Sequence, residues 1–384
     1  MRTKCLFILL CLLELSANQE LLAQESSDSV AFSGQLVSWA GINFSDPGMQ
    51  HLGVRYLPSF SYEHKNKQGL KLDFEASANA YSNFRFGGFK FDTLQSNLKP
   101  YRLSGRISSD QWEIRLGLQK MSFGSASILR PLMWFDKMDP RDPLKFTEGV
   151  YGVLGRYYFL NNANIWLWGL YGNSDPRGWE ITGTSKGRPE AGGRIQLPIP
   201  AGEAAFSYHY RSADSRALSG LMPSFAEIPE NKFGFDLKLD LLVGCWLEGT
   251  WVNKNKDLGM FTNQEIINFG LDYTFGLGNG LYLVYEQLIA AYDEKAFDFE
   301  NNSTFSLVSI SYPVSLFDTV GAMMYYDWKS NTTYNFVSWQ KQFNRISLYF
   351  MGYWNPDNYL IPAQGSGENL FAGKGVQLML VWNH

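Results

Sequence analysis

Short segments of strict apolar/polar alternation recur about eighteen times along the chain, and nothing else limits its fold so sharply. Trp112-Glu113-Ile114-Arg115-Leu116-Gly117-Leu118-Gln119 is one. Another interleaves Phe233, Phe235, Leu237, Leu239 and Leu241 with Gly234, Asp236, Lys238 and Asp240. A period of two sends successive side chains to opposite faces of a strand. Each candidate strand therefore carries one greasy face and one face that includes charges. A closed barrel in lipid satisfies both, with the greasy face toward lipid and the polar face toward a water-filled lumen.

The connections carry separate information. Those at 65–69, 108–111, 160–163 and 275–280 are short and turn-like, whereas those at 121–149, 172–190, 212–232 and 355–374 are long. Bacterial outer-membrane barrels have short periplasmic turns, long outer loops and an even strand count. Counting 30–42 and 333–340 as strands gives eighteen, and omitting them gives sixteen. The expected fold class is all-β, a transmembrane antiparallel β-barrel of 16–18 strands with an inward-folded loop after strand five. A soluble sandwich or propeller would have loops of similar length at both ends or a blade-length repeat, and neither pattern is present.

The N-terminus reads as an export signal. Met1-Arg2-Thr3-Lys4 is a basic start, Cys5 to Leu13 is apolar, and Leu21-Leu22-Ala23-Gln24 offers cleavage after Ala23, with Ala17 as the alternative. This gives residues 1–23 as signal peptide and 24–384 as one barrel domain. Removing the leader leaves Cys245 as the single cysteine, so no disulfide framework is expected. Mean hydropathy is only −0.21, yet aromatics make up 16% of residues, which suits strands and a membrane interface. A net charge of −4 without a basic stripe argues against nucleic acid as a partner. The last strand, Val376 to His384, resembles the terminal strand read by the barrel-insertion machinery, although Trp382 sits two residues short of the usual terminal aromatic.

If apolar residues face lipid, their neighbours line the lumen. Strands two to nine then point Arg55, Lys71, Arg102, Arg106, Arg115, Arg156, Arg194 and Arg211 inward, with Glu63, Asp73, Glu75 and Glu113 among them. Strands ten to fifteen point Asp236, Asp240, Glu248, Asp272, Glu286 and Asp327 inward, opposed by Lys238. The expectation is a basic wall (Arg102, Arg106, Arg115, Arg156, Arg194, Arg211) facing an acidic wall (Asp236, Asp240, Glu248, Asp272, Glu286). Such walls would set up a transverse field across the pore. On this reading Leu237 meets lipid, and Asp236 meets water and tolerates arginine.

The connection at 121–149 is too apolar for a solvated loop and too charged for lipid. Pro131, Pro140 and Pro143 keep it out of the sheet. It is expected to fold into the lumen as a constriction formed by Arg130, Asp136, Asp139, Arg141 and Asp142. From Gly117-Leu118-Gln119-Lys120 through Phe123-Gly124 to Asp139-Pro140-Arg141-Asp142, it resembles a signature of porin-like outer-membrane barrels of Gram-negative bacteria, similar to alginate-export and related porin-type barrels. That resemblance implies a barrel with a channel role and, by analogy with general porins, an inward fifth connection. It implies no particular solute.

Enzyme signals are thin. The four histidines are His51, His64, His209 and His384, and His209, the lumen candidate, has no Ser or Asp at a telling spacing. No metal cluster or nucleotide loop is present in the sequence, so no cofactor or metal is expected. The reading is a passive outer-membrane channel for small hydrophilic solutes, embedded in lipid. The alternative is a non-conducting barrel whose outer loops bind a partner or surface ligand. Lipid-facing and protomer-facing surfaces look alike, so the pattern fits a monomer or a trimer equally.

Overall fold

Alternation becomes register in the computed structural model, which describes residues 28–45, 49–66, 69–87, 90–357 and 371–384. The expected leader, 1–23, lies outside the described residues. The strands are β1 (Ser29–Asn43), β2 (Met49–Lys65), β3 (Lys71–Gly87), β4 (Lys90–Ser108), β5 (Trp112–Gln119), β6 (Val150–Tyr158), β7 (Asn164–Leu170) and the two-residue β8 (Gly183–Thr184). They continue with β9 (Glu190–Ile199), β10 (Gly202–Asp214), β11 (Ile228–Asp240), β12 (Gly244–Lys254), β13 (Asn263–Phe275) and β14 (Leu281–Asp293). The last are β15 (Asn302–Pro313), β16 (Asp318–Asp327), β17 (Thr332–Gln342), β18 (Ile346–Trp354) and β19 (Lys374–Asn383). Every strand expected from the sequence is present, including 30–42 and 333–340.

Each barrel strand pairs antiparallel with its neighbours in chain order, and β8 is a small addition beside β10. The ring closes where β1 pairs with β19, from Gln35 opposite Asn383 to Asn43 opposite Gly375. Gly34 and His384 then exchange two backbone hydrogen bonds of 3.0 Å each. The result is a closed barrel of eighteen strands. Closure leaves no open edge within the bilayer, which is the condition for a sheet to cross it.

Burial is inverted relative to a soluble protein. Leu116, Leu167 and Phe206 are more than 60% exposed, while Arg211 is 1% exposed and Glu248 and Glu286 are 0%. On β11, Phe233 is exposed between buried Lys232 and Gly234. The apolar face therefore points outward, and the charged face points inward. Eight connections at one end are two to five residues long, whereas those at the other reach thirty, at 120–149.

Leu237→Arg is expected to block assembly, because arginine at mid-bilayer on the lipid face costs roughly 2–4 kcal/mol. Asp236 does not provide the tolerant control expected from sequence. It is 1% exposed and clamped by Arg194, so an arginine there would face another buried arginine. Ser338, inward on β17 and exposed, is the appropriate control. Heat-modifiability on a gel reads both variants: Leu237→Arg should fail to give the compact form and Ser338→Arg should give it.

Candidate functional site: the lumen and its inner hoop

The thirty-residue connection between β5 and β6 runs round the inner wall as a hoop. It begins against β6 and β7, where Met121, Phe123, Leu132, Trp134 and Phe135 pack with Val150, Leu154, Trp168 and Leu170. It then meets the carboxylates of β11, β12 and β14. Ser125 donates its hydroxyl to Asp236 (2.9 Å), and the N–H groups of Ala126 and Leu132 donate to Glu248 (2.8 and 2.6 Å). Three consecutive N–H groups, from Ser127, Ile128 and Leu129, donate to Glu286 (2.8, 3.0 and 2.5 Å). Gly124, at φ +106°, lies so close that a Cβ would sit 2.5 Å from a Glu248 oxygen.

Further along, Leu129, Met133 and Met138 pack on the inward face of β13 to β17. Arg141 reaches Phe336 of β17 and Phe371 (5.6 and 4.8 Å to the ring centres). Leu144 packs with Val37, Tyr349, Met351, Met379 and Val381 of β1, β18 and β19. Phe146 stacks on Tyr101 of β4 at 4.9 Å and lies under Arg55 of β2 at 4.1 Å. Arg102 closes the circuit by donating to the Thr147 carbonyl at 2.9 Å. Contacts thus extend around nearly the whole circumference.

A second connection, 171–189, presses on the hoop from the long-loop side. Trp179 donates to the Arg130 carbonyl (2.8 Å), and Gly178, at φ +51°, packs so tightly that a Cβ would lie 1.7 Å from the Met133 carbonyl oxygen. A buried ionic network holds this segment. Arg177 pairs with Glu190 (2.5 Å), Arg211 pairs with Glu180 (2.9 Å) and Glu230 (2.5 Å), and Lys232 pairs with Glu180. Burial disfavours the Glu180 carboxylate, but the cations Arg177, Arg211 and Lys232 outweigh it and hold its pKa well below the ordinary range. His209, wholly buried, accepts from Trp168 Nε1 (3.1 Å) and sits 3.0 Å from Glu190. It is a neutral structural link between a tryptophan and a carboxylate.

The expected opposition of basic and acidic walls needs correction. Asp236, Glu248 and Glu286 are buried acceptors for the hoop and do not face open water. Arg194 and Arg211 are spent as well, Arg194 in two bonds to Asp236 (2.5 and 2.9 Å) and Arg211 on Glu230. Asp240 and Asp272 lie near the short-turn end, where Asp272 accepts the Tyr282 hydroxyl (2.8 Å) and Asp240 sits 3.8 Å from Lys238. The fixed charges of the remaining lumen concentrate on β2 to β6. Arg106, Arg115 and Arg156 converge on Glu113 (3.7, 3.7 and 3.0 Å), and Arg106 also bonds Asp73 at 2.7 Å.

The five expected constriction residues all lie on the hoop, but not as bare charges. Arg130 and Asp136 pair at 2.8 Å inside it. Burial opposes the Arg130 charge, and Asp136 overcomes that, holding its pKa above the ordinary value. Asp139 takes three bonds from Arg141, through its backbone N–H, Nε and a terminal nitrogen (2.9, 2.8 and 2.6 Å). Asp142 accepts the N–H groups of Leu144 and Phe146 (3.0 and 3.2 Å) as a turn former. Burial pushes its pKa up against those bonds and the nearby Arg55.

Sequence reasoning missed the ionic network around the second connection. Glu230 and Lys232 belong to β11, which starts at Ile228 rather than near 233. Extending the period of two backward through Ile228, Glu230 and Lys232 would have revealed them. Trp179-Glu180 amid charges carries the same mixed signal as the hoop.

No family model and no curated protein sequence matches the chain. Among solved structures, the fold is similar to that of Pseudomonas aeruginosa OccK5 (9% identity, TM-score 0.56, covering 92% of this chain and 98% of that one). It is also similar to Acinetobacter baumannii OccAB2 (9% identity, TM-score 0.55, 93% and 98%) and to P. aeruginosa OpdQ (11%, 0.52, 93% and 98%). At these identities the likeness is one of fold, a porin-type outer-membrane β-barrel.

Proposed function

We propose that the chain is an outer-membrane channel for passive diffusion of small hydrophilic solutes. One observation carries the reading. Away from the hoop anchors, inward residues such as Glu75 on β3 and Ser338 on β17 remain exposed, so polar groups line open space inside a barrel whose exterior is apolar. The hoop narrows that space, and the passage runs between it and two unlike walls. One wall, β2 to β6, carries arginines in excess of its carboxylates. The other offers Ser309, Ser311, Thr319, Ser338 and Gln340 on β15 to β17, with no charge among them. An uncompensated positive wall in a confined pore favours anions. The leader ending at Ala23 and delivery through the terminal strand belong to the same reading.

Liposome swelling tests it. Vesicles carrying the protein should swell in isotonic small sugars and amino acids at rates that fall with solute size, and rates equal to those of protein-free vesicles would defeat the proposal. Selectivity is a separate expectation. Arg115→Ala should lower the preference for chloride over potassium, measured as reversal potential in a salt gradient. The change should shrink near 1 M salt, where screening reaches only about 3 Å. An unchanged reversal potential would place Arg115 off the ion path.

The loop asymmetry sets orientation. A tag near Ser219-Gly220 should be reached by antibody on intact cells, and one near Asn162-Ala163 only after the outer membrane is breached. Reversed labelling would invert the topology.

A further inference from the structure

Around the hoop anchors, inward polar side chains are spent on backbone amides or on one another. A patch on β15 to β17 is not. Ser309 and Ser311 of β15, Thr319 of β16, and Ser338 and Gln340 of β17 alternate with Ile310, Val320 and Val337, which are exposed on the lipid face. They belong to the inward set that includes Leu307, Tyr325 and Tyr334 under the hoop. Among the described residues, none of these five side chains makes a hydrogen bond within the protein.

Register gathers them. Ser311 lies opposite Gly321, Gly321 opposite Ser338, and Ser338 opposite Met351, so one rung across four strands carries three small residues in a row. Thr319 opposite Gln340 forms the next rung toward the short turns. Ser309, Met323 and Phe336 form the rung on the other side. The missing side chain of Gly321 makes a dent at the centre, where a Cβ would lie 3.1 Å from the Ser338 hydroxyl. Pro140, Arg141 and Pro143 of the hoop stand over the dent and, with the wall, bound a recess of about 240 Å³. Arg141 alone among the described lining residues carries a charge, and Asp139 already matches it with three hydrogen bonds.

The recess therefore has two unlike sides. Pro140, Pro143, Phe336 and Met351 offer carbon surface, whereas the serines, Thr319 and Gln340 offer groups that both donate and accept. We propose that this recess is a binding subsite for a neutral polyhydroxylated solute, a single sugar ring, on the diffusion path. The inference deepens the channel reading and rests on it for the solute's access to the lumen. A pyranose carries C–H patches on its faces and hydroxyls around its rim, so it can lay carbon on the prolines and Phe336 while its rim meets the wall. A carboxylate or ammonium would give up water there without an unmatched opposite charge to meet. Pockets for drug-sized ligands run to about 300–1,000 Å³, so this one takes one ring rather than an oligosaccharide.

The test reads binding apart from conduction. The full barrel in detergent micelles is titrated with D-glucose, and saturation-transfer NMR follows the C–H protons of the sugar. Transfer should saturate with glucose concentration. Ser311→Ala combined with Ser338→Ala removes two hydroxyls from the central rung and should weaken binding about tenfold. Gly321→Leu fills the dent and should abolish binding, with heat-modifiability on a gel showing which variants are folded. Ser59→Ala with Ser61→Ala, inward on β2 and away from the recess, should leave binding unchanged. Absence of saturable transfer in the unaltered barrel would overturn the proposal, as would equal binding by the Ser311/Ser338 double variant. Conductance of the same preparation is recorded separately. A barrel that conducts but binds no glucose would lose the subsite and keep the channel reading. One that binds glucose through these serines but passes no current would uphold the subsite and defeat the channel reading.

Discussion

Deleting Pro131 to Pro143 is expected to raise single-channel conductance severalfold. The narrowest section dominates the resistance of a pore, and this deletion removes the part of the hoop that crosses the inward face of β15 to β17. The barrel should still form, because β5 and β6 pair directly from Trp112 opposite Tyr157 to Gln119 opposite Val150. The anchors of Ala126 to Leu129 on Glu248 and Glu286 also lie outside the deletion. A correctly assembled barrel with unchanged conductance would place the narrowest point elsewhere.

Glu286→Ala is expected to free the first half of the hoop while leaving the strands intact. The carboxylate accepts three successive backbone N–H groups in a site where the side chain is wholly buried. A buried donor left without a partner costs about 1–3 kcal/mol, and truncation leaves three. The segment should recover those bonds by moving into water. Protease cleavage between Ser125 and Leu132 should become rapid in folded barrels, and the open-channel current should become noisy. Glu286→Gln keeps one carbonyl acceptor and should fall between the two. Resistance to protease and a quiet current in Glu286→Ala would show that apolar packing alone holds the hoop. The second connection bears on the same segment, since Trp179 and Gly178 brace it at Arg130 and Met133.

The barrel was legible because period-two alternation is a local signal, repeated eighteen times, and each repeat independently places its greasy residues. The inward connection was legible as well: Pro131, Pro140 and Pro143 bar it from the sheet, and its apolar content bars it from water. What a single strand cannot disclose is which inward charges meet. Asp236 and Arg194 lie on β11 and β9, with β10 between them, and their pairing depends on register across three strands. Glu248 and Glu286 look like pore-lining carboxylates in sequence because the groups that consume them are backbone amides, present at every residue and invisible in composition. The expected acidic wall loses those two members to the hoop for that reason. The overlong β4 escaped notice because 90–97, polar apart from Phe91 and Leu94, reads as a loop, and only pairing with β3 makes it sheet.

Planar-bilayer recording of the purified protein tests the central claim most directly. Uniform conductance steps that scale with salt concentration, favour anions at low salt and lose that preference at high salt are the result the proposed channel requires. A folded barrel inserted in the bilayer that passes no current would contradict it.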